Sequence, residues 1–192
     1  MALISAKTII TSICLFHLTL AFFFLTNPNT IADQAIVFIL GESMGLPHVR
    51  SFESQSPALA FLAVVLAVVG ISDLVTLSLP GEMSAYHWGM QAPLRVSISF
   101  FLTLYTFLFS PSSPLYTSSD GPRGRFSHPS AHAHAPAGYI PSGWGGDALK
   151  NRVFFTFMFV ETFSWFWIWV TLQEERRDAA ARKARRRSSH GH

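Results

Sequence analysis

Three ionisable residues stand in otherwise uncharged surroundings: Asp73 in Gly70-Ile71-Ser72-Asp73-Leu74, Arg95 in Ala92-Pro93-Leu94-Arg95, and Glu161 in the middle of an aromatic-rich run. Two acids and a base of this kind can pass ions or protons, or they can pair and hold helices together. An ionised side chain at the centre of a bilayer costs about 2.5–3.5 kcal/mol on insertion scales, so such groups turn towards the bundle and find partners. Asp73 lies about two helical turns from Pro80, and Arg95 about one turn from the same boundary. A structural pair is therefore expected, either Asp73–Arg95 or Arg95–Glu161, with snorkelling of Arg95 to the headgroups as the competing reading. Two acids and one base do not by themselves make a relay, so the three are read as structural intramembrane polar residues.

The remaining candidates carry less chemistry. His17 is a lone imidazole in an apolar run, and a hydrogen bond to a neighbouring helix is expected of it. His128, His132 and His134 sit among Ala, Pro and Ser, and His190 and His192 lie at the end of the chain. Without an acidic second shell, these histidines are read as incidental. Cys14 is the single cysteine, which excludes an internal disulfide and a cysteine zinc cluster. The chain has no phosphate-binding glycine loop, no nucleophile elbow and no paired carboxylates at workable spacing. No catalytic residue, cofactor or metal is expected, and the chain is read as no enzyme.

The elements that must position these residues follow from the apolar runs. Of 192 residues, 49% are hydrophobic and 13% charged, against about 25% charged in an ordinary soluble domain. Residues 8–25, 57–79, 92–109 and 153–172 read as four transmembrane helices in a membrane domain covering 1–172. The third opens at Pro93, a good first-turn residue, after a short loop over 80–91 that makes spans two and three a hairpin. Between spans one and two, residues 31–44 have too short an apolar core to cross. Ile31, Ala35, Phe38 and Ile39 share one helical face, so a short interfacial or bundle-packed helix is expected there, closing at Gly45-Leu46-Pro47. Residues 110–150 are rich in Ser, Pro, Gly, Ala and His and read as a disordered loop. Phe163, Trp165, Phe166, Trp167 and Trp169 cover every face of span four and read as lipid-facing and packing aromatics in an anchor belt.

Charge sets the orientation. The chain carries a net +3, but residues 173–192 alone carry +4, so the basicity belongs to the tail and not to a nucleic-acid-binding surface. Seven Lys/Arg in that tail, with Lys7 before span one, place both termini in the cytosol by the positive-inside rule. The tail is also within reach of anionic lipid headgroups.

Several local patterns then fall into one order: Met44-Gly45-Leu46-Pro47, Gly70-Ile71-Ser72-Asp73-Leu74, Ala92-Pro93-Leu94-Arg95, Glu161 with Trp165 and Phe166, and Gln173-Glu174-Glu175-Arg176. In this order they resemble the fungal increased-loss-of-mitochondrial-DNA protein family, over nearly the whole chain. The resemblance implies a small four-span protein of the endoplasmic reticulum membrane, without a defined activity, whose loss affects the mitochondrial genome. The expected function is thus a non-enzymatic multi-pass protein that contacts membrane lipids and an unidentified membrane-protein partner, with no nucleic acid bound. Two alternatives stay open: a small transporter or channel using Asp73, Arg95 and Glu161, and a scaffold for lipid or sterol enzymes.

Overall fold

The computed structural model describes residues 4–110 and 145–189, and these are helical, with no strand among them. In chain order they form α1 (Ala6–Thr26), α2 (Asn29–Ala32), α3 (Ala35–Ser43), a 3-10 turn (Arg50–Phe52), α4 (Pro57–Thr76), α5 (Gly81–Leu108), a second 3-10 turn (Gly145–Leu149) and α6 (Arg152–Ser189). Local chemistry marks the starts. Ser5 Oγ accepts from the Thr8 amide ahead of α1, and Ser56 Oγ accepts from the Leu59 amide ahead of α4, whose first residue is Pro57.

Among the described residues, three helices are long and apolar enough to cross a membrane: α1, α4 and the 152–185 part of α6. The fourth long helix, α5, departs from its expected limits. It begins at Gly81, so residues 81–91 are helix and not loop, and Pro93 lies inside the helix instead of opening it. Pro80, expected to terminate span two, is the residue before α5, while α4 has already ended at Thr76. The long helices pair as α1 with α4 and α5 with α6, so the expected hairpin is joined by a short turn without α4 lying along α5.

The region after α1 also differs in detail. Residues 31–44 form two short helices broken at Asp33 and Gln34, and α3 packs on α6. Its buried residues are Val37 and Gly41, whereas Phe38 and Ile39 are exposed, so the expected face points outward. Gly41 is buried because the aliphatic stem of Arg152 occupies the space its Cβ would fill. The helix then closes on Gly45, at φ 63°, with Leu46 N–H donating to Gly41 O (2.8 Å) and Gly45 N–H to Glu42 O (3.1 Å). That is a Schellman closure, which needs a left-handed residue. Arg152 locks it: Nε donates to Leu46 O at 2.7 Å and Nη2 to Glu42 Oε2 at 2.8 Å.

Two apolar clusters hold the bundle. One joins Ile10, Ile13 and Cys14 to Leu77, Trp88, Ala92, Trp165 and Ile168; the other joins Ala21, Phe24 and Ile31 to Leu59, Ala63 and Leu66. Gly70 lets α4 approach α1, since a Cβ there would stand 3.1 Å from Cys14 O. The expected disordered loop falls largely at 111–144, outside the described residues, and its last part, 145–149, is the ordered 3-10 turn. The basic tail continues α6 as helix to Ser189.

Candidate functional site

Asp73 and Glu161 are buried and Arg95 is partly buried, and each is held by a side chain of another helix. Arg95 on α5 donates through Nη1 to Asp73 Oδ2 (2.6 Å) and through Nη2 to Asp73 Oδ1 (2.8 Å), a bidentate pair across α4 and α5. Such a fork fixes direction as well as distance, which a lysine would not do. Of the two expected pairings the structure makes Asp73–Arg95. Glu161 turns instead to α1: its Oε1 lies 2.7 Å from His17 Nε2, and its Oε2 accepts from Trp165 Nε1 at 2.7 Å.

Trp165 joins the two halves. Its indole lies under the Arg95 guanidinium, 4.5 Å from ring centroid to Cζ, and stacks on Trp88 with centroids 5.8 Å apart at 20°. A cation over tryptophan is attracted by the ring's quadrupole, by about 0.5–2 kcal/mol depending on exposure. The result is a continuous path, Asp73–Arg95–Trp165–Glu161–His17, that touches all four long helices. Trp165 is a packing aromatic, fully buried, while Phe163, Phe166 and Trp167 face outward.

Indole N–H is a donor only, so Glu161 Oε2 must accept from it. With Glu161 as carboxylate, the proton between it and His17 sits on Nε2. His17 Nδ1 is buried and without a hydrogen-bond partner among the described residues. A groove of about 150 Å³ between α5 and α6 is walled by Arg95, Ser99, Phe157 and Glu161. Among the described residues no three His, Cys, Asp or Glu side chains come together as metal ligands. His128, His132, His134, His190 and His192 lie outside the described residues.

Several anchoring residues carried no such flag in the sequence. Glu175 Oε1 accepts from the Ala6 amide at 3.0 Å, bringing the start of α1 to α6. Arg176 Nη2 donates to Ala85 O at 2.5 Å, lying against Gly89 on α5, where a side chain would collide with it. Gly41, Glu42 and Arg152 form the opposite anchor.

The patterns that ordered the sequence therefore correspond to contact points. Met44-Gly45-Leu46-Pro47 closes α3 onto Arg152, Gly70 and Asp73 face α1 and α5, Ala92 and Arg95 face α6, and Glu175 and Arg176 tie α6 to α1 and α5. A family model described as increased loss of mitochondrial DNA protein 1 matches residues 4–182. The chain belongs to that family. Among curated proteins, Protein ILM1 of Saccharomyces cerevisiae (strain ATCC 204508 / S288c) is 28% identical over 104 residues, 54% of this chain and 49% of that protein. The matched stretch thus spans about half the length of that relative. No solved structure matches the chain. The family links this architecture to mitochondrial DNA by name, and its model covers every contact point above.

Proposed function

We propose that the chain is a non-enzymatic, four-span protein of the endoplasmic reticulum membrane, with both termini cytosolic, that acts through a membrane-protein partner and supports the mitochondrial genome indirectly. The observation that carries this reading is that each intramembrane charge is held by a side chain of another helix. Asp73 and Arg95 hold each other, and Glu161 is held by His17 and Trp165. Groups so engaged stabilise a fold; they are poorly placed to exchange ions or to act on a substrate.

α5 serves as the fourth span in this reading. Its 28 residues are about 42 Å long, more than the roughly 30 Å hydrocarbon core. Gln91, Arg95 and the hydroxyls of Ser97, Ser99, Thr103 and Thr106 lower its apolarity, but the Arg95 charge is neutralised by Asp73 and all four hydroxyls bond to carbonyls of their own helix. Ala6–Glu175 and Arg176–Ala85 gather the start of α1, the start of α5 and the end of the apolar part of α6 at one end of the bundle. α3 and the Arg152 anchor lie at the other. The seven Lys/Arg of 173–192 support a cytosolic position for the first end.

The groove shared by Arg95 and Glu161 favours one other reading, a small ion or proton conductor. Two measurements separate the two. Proximity labelling from a tag on the tail of the full chain should recover a reproducible set of endoplasmic reticulum membrane proteins, and vesicles reconstituted with the purified chain should show no ion flux above protein-free vesicles. Flux that disappears in Glu161→Gln while the protein still folds would overturn the proposal in favour of the conductor.

A further inference from the structure

The groove of about 150 Å³ on α5 and α6 lies at the level of Glu161, the middle of the apolar stretch 153–172. Arg95, Ser99 and Glu161 line it together with Ile98, Leu102 and Met158. α4 pairs with α1 and does not lie along α5, and Leu94, Ile98 and Phe101 are exposed on one face of α5 beside the groove. Pockets for free small molecules run to about 300–1,000 Å³, so a groove of this size takes a single side chain and not a whole lipid or metabolite.

The groove is short of an acceptor. Arg95 spends one N–H of Nη1 and one of Nη2 on Asp73. A guanidinium has five N–H donors, so three of them, that on Nε included, have no acceptor among the described residues. The Arg95 side chain stays 25% exposed, whereas that of its partner Asp73 is 5% exposed. Arg95 lies about 9 Å along α5 from Gly89, where Arg176 marks the charged end of the bundle. At that depth lipid tails supply no acceptor, and an N–H left without one is costly.

The charges already present decide which acceptor fits. Asp73 neutralises Arg95 and Glu161 lines the same groove, so a further carboxylate would enter beside two others. A cation would meet the guanidinium. A helical Ser or Thr hydroxyl bonds back to its own backbone, as those of Ser97, Ser99, Thr103 and Thr106 do on α5. A carboxamide is neutral and has both halves needed. Its oxygen accepts from Arg95, and its N–H₂ donates to a Glu161 lone pair that His17 and Trp165 leave unused. Among α1, α4, α5 and the apolar part of α6, the one carboxamide is Gln91, which lines a different groove near the start of α5. A second copy of this chain therefore brings none to the level of Arg95.

We propose that this groove docks a transmembrane helix of a different protein, which inserts an Asn or Gln side chain between Arg95 and Glu161. The inference rests on the membrane-protein partner proposed above and assigns the contact chemistry of that partner.

The full chain, carrying a fluorescent donor on its tail, is reconstituted in phosphatidylcholine vesicles with an acceptor-labelled Leu-rich peptide of about 20 residues. The peptide has Asn, Gln or Leu at its centre. Energy transfer should show the Asn and Gln peptides bound about tenfold more tightly than the Leu peptide. Ile98→Trp, which fills the groove from α5 without touching the Asp73–Arg95 pair, should reduce all three to the level of the Leu peptide. Val68→Trp, on the exposed side of α4, should change nothing. Equal binding of the three peptides to the unaltered chain would overturn the site, and so would an Asn preference that survives Ile98→Trp. Equal peptide binding alongside partners recovered by proximity labelling would remove this groove and leave the partner reading standing.

Discussion

At the residue scale, each intramembrane charge finds its counterpart on another helix. Glu161 accepts from His17 and Trp165 at once, so its carboxylate is matched on both oxygens. Glu161→Ala strands two donors, at about 1–3 kcal/mol for each buried group left unsatisfied. Glu161→Gln keeps the shape and one acceptor, but its amide N–H₂ faces a donor unless His17 changes tautomer. The Ala variant should therefore lose more thermal stability in detergent than the Gln variant, and a Glu161→Leu, His17→Phe double variant should recover part of the loss. Equal melting of all three with the wild type would show that the pair contributes nothing. The sequence allowed the three charges to be identified, and it placed Asp73 and Arg95 at similar depth from their distances to Pro80. It held no indication that His17 belongs with Glu161. The two are 144 positions apart, and a lone histidine in an apolar run names no partner. Trp165 stands between Arg95 and Glu161, taking one face of the guanidinium and one oxygen of the carboxylate.

At the scale of elements, close approach is the recurring device. Gly70 is where α4 meets the backbone of α1, and a larger residue there meets Cys14 O and the base of His17. Gly70→Leu should lower the melting temperature clearly, while Gly81→Ala, whose new Cβ would meet nothing within 4 Å, serves as the neutral comparison. If both variants melt alike, the α1–α4 contact is not limiting. Gly45 is needed for a different reason, its φ of 63°. Gly45→Ala should cost about 1–2 kcal/mol through the left-handed backbone and loosen the Arg152 anchor, measurable as faster proteolysis between α3 and α4. Unchanged proteolysis would argue that Arg152 alone holds α3.

Apolar runs made α1, α4 and the first half of α6 legible. The start of α5 was not legible, because Gly81-Glu82-Met83-Ser84 and His87 read as loop by composition, and Pro93 read as a helix start. The helix persists through that stretch because Trp88 and Ala92 pack into the cluster around Trp165 and Ile168, a tertiary gain that outweighs weak local preference. The buried face of α3 is hidden in the sequence for a related reason. Gly41 contributes no hydrophobic signal, yet it is buried because the Arg152 stem needs its space.

At the scale of the whole molecule, the anchors at both ends make the four long helices one unit. Ala6–Glu175 and Arg176–Ala85 require an even number of passes if the start of α1 and the end of the apolar stretch of α6 lie on the same side of the membrane. The chain contains no native Asn-x-Ser/Thr site, so an engineered one near Ser118 reports cleanly. It should be glycosylated, and the same site placed in the tail should not; the reverse pattern would invert the proposed orientation. In the proposed function the intramembrane charges hold this unit together and do not turn over a substrate. The measurement closest to it is a double-mutant cycle on Asp73 and Arg95, read as abundance and melting temperature of the purified chain together with complementation. Breaking one side of a buried pair costs about 3–5 kcal/mol, whereas replacing both sides can be nearly neutral. Asp73→Asn and Arg95→Gln should each lower abundance and melting temperature, and the double variant should recover both along with complementation. Single variants that accumulate and melt like the wild type, yet fail to complement, would contradict the account.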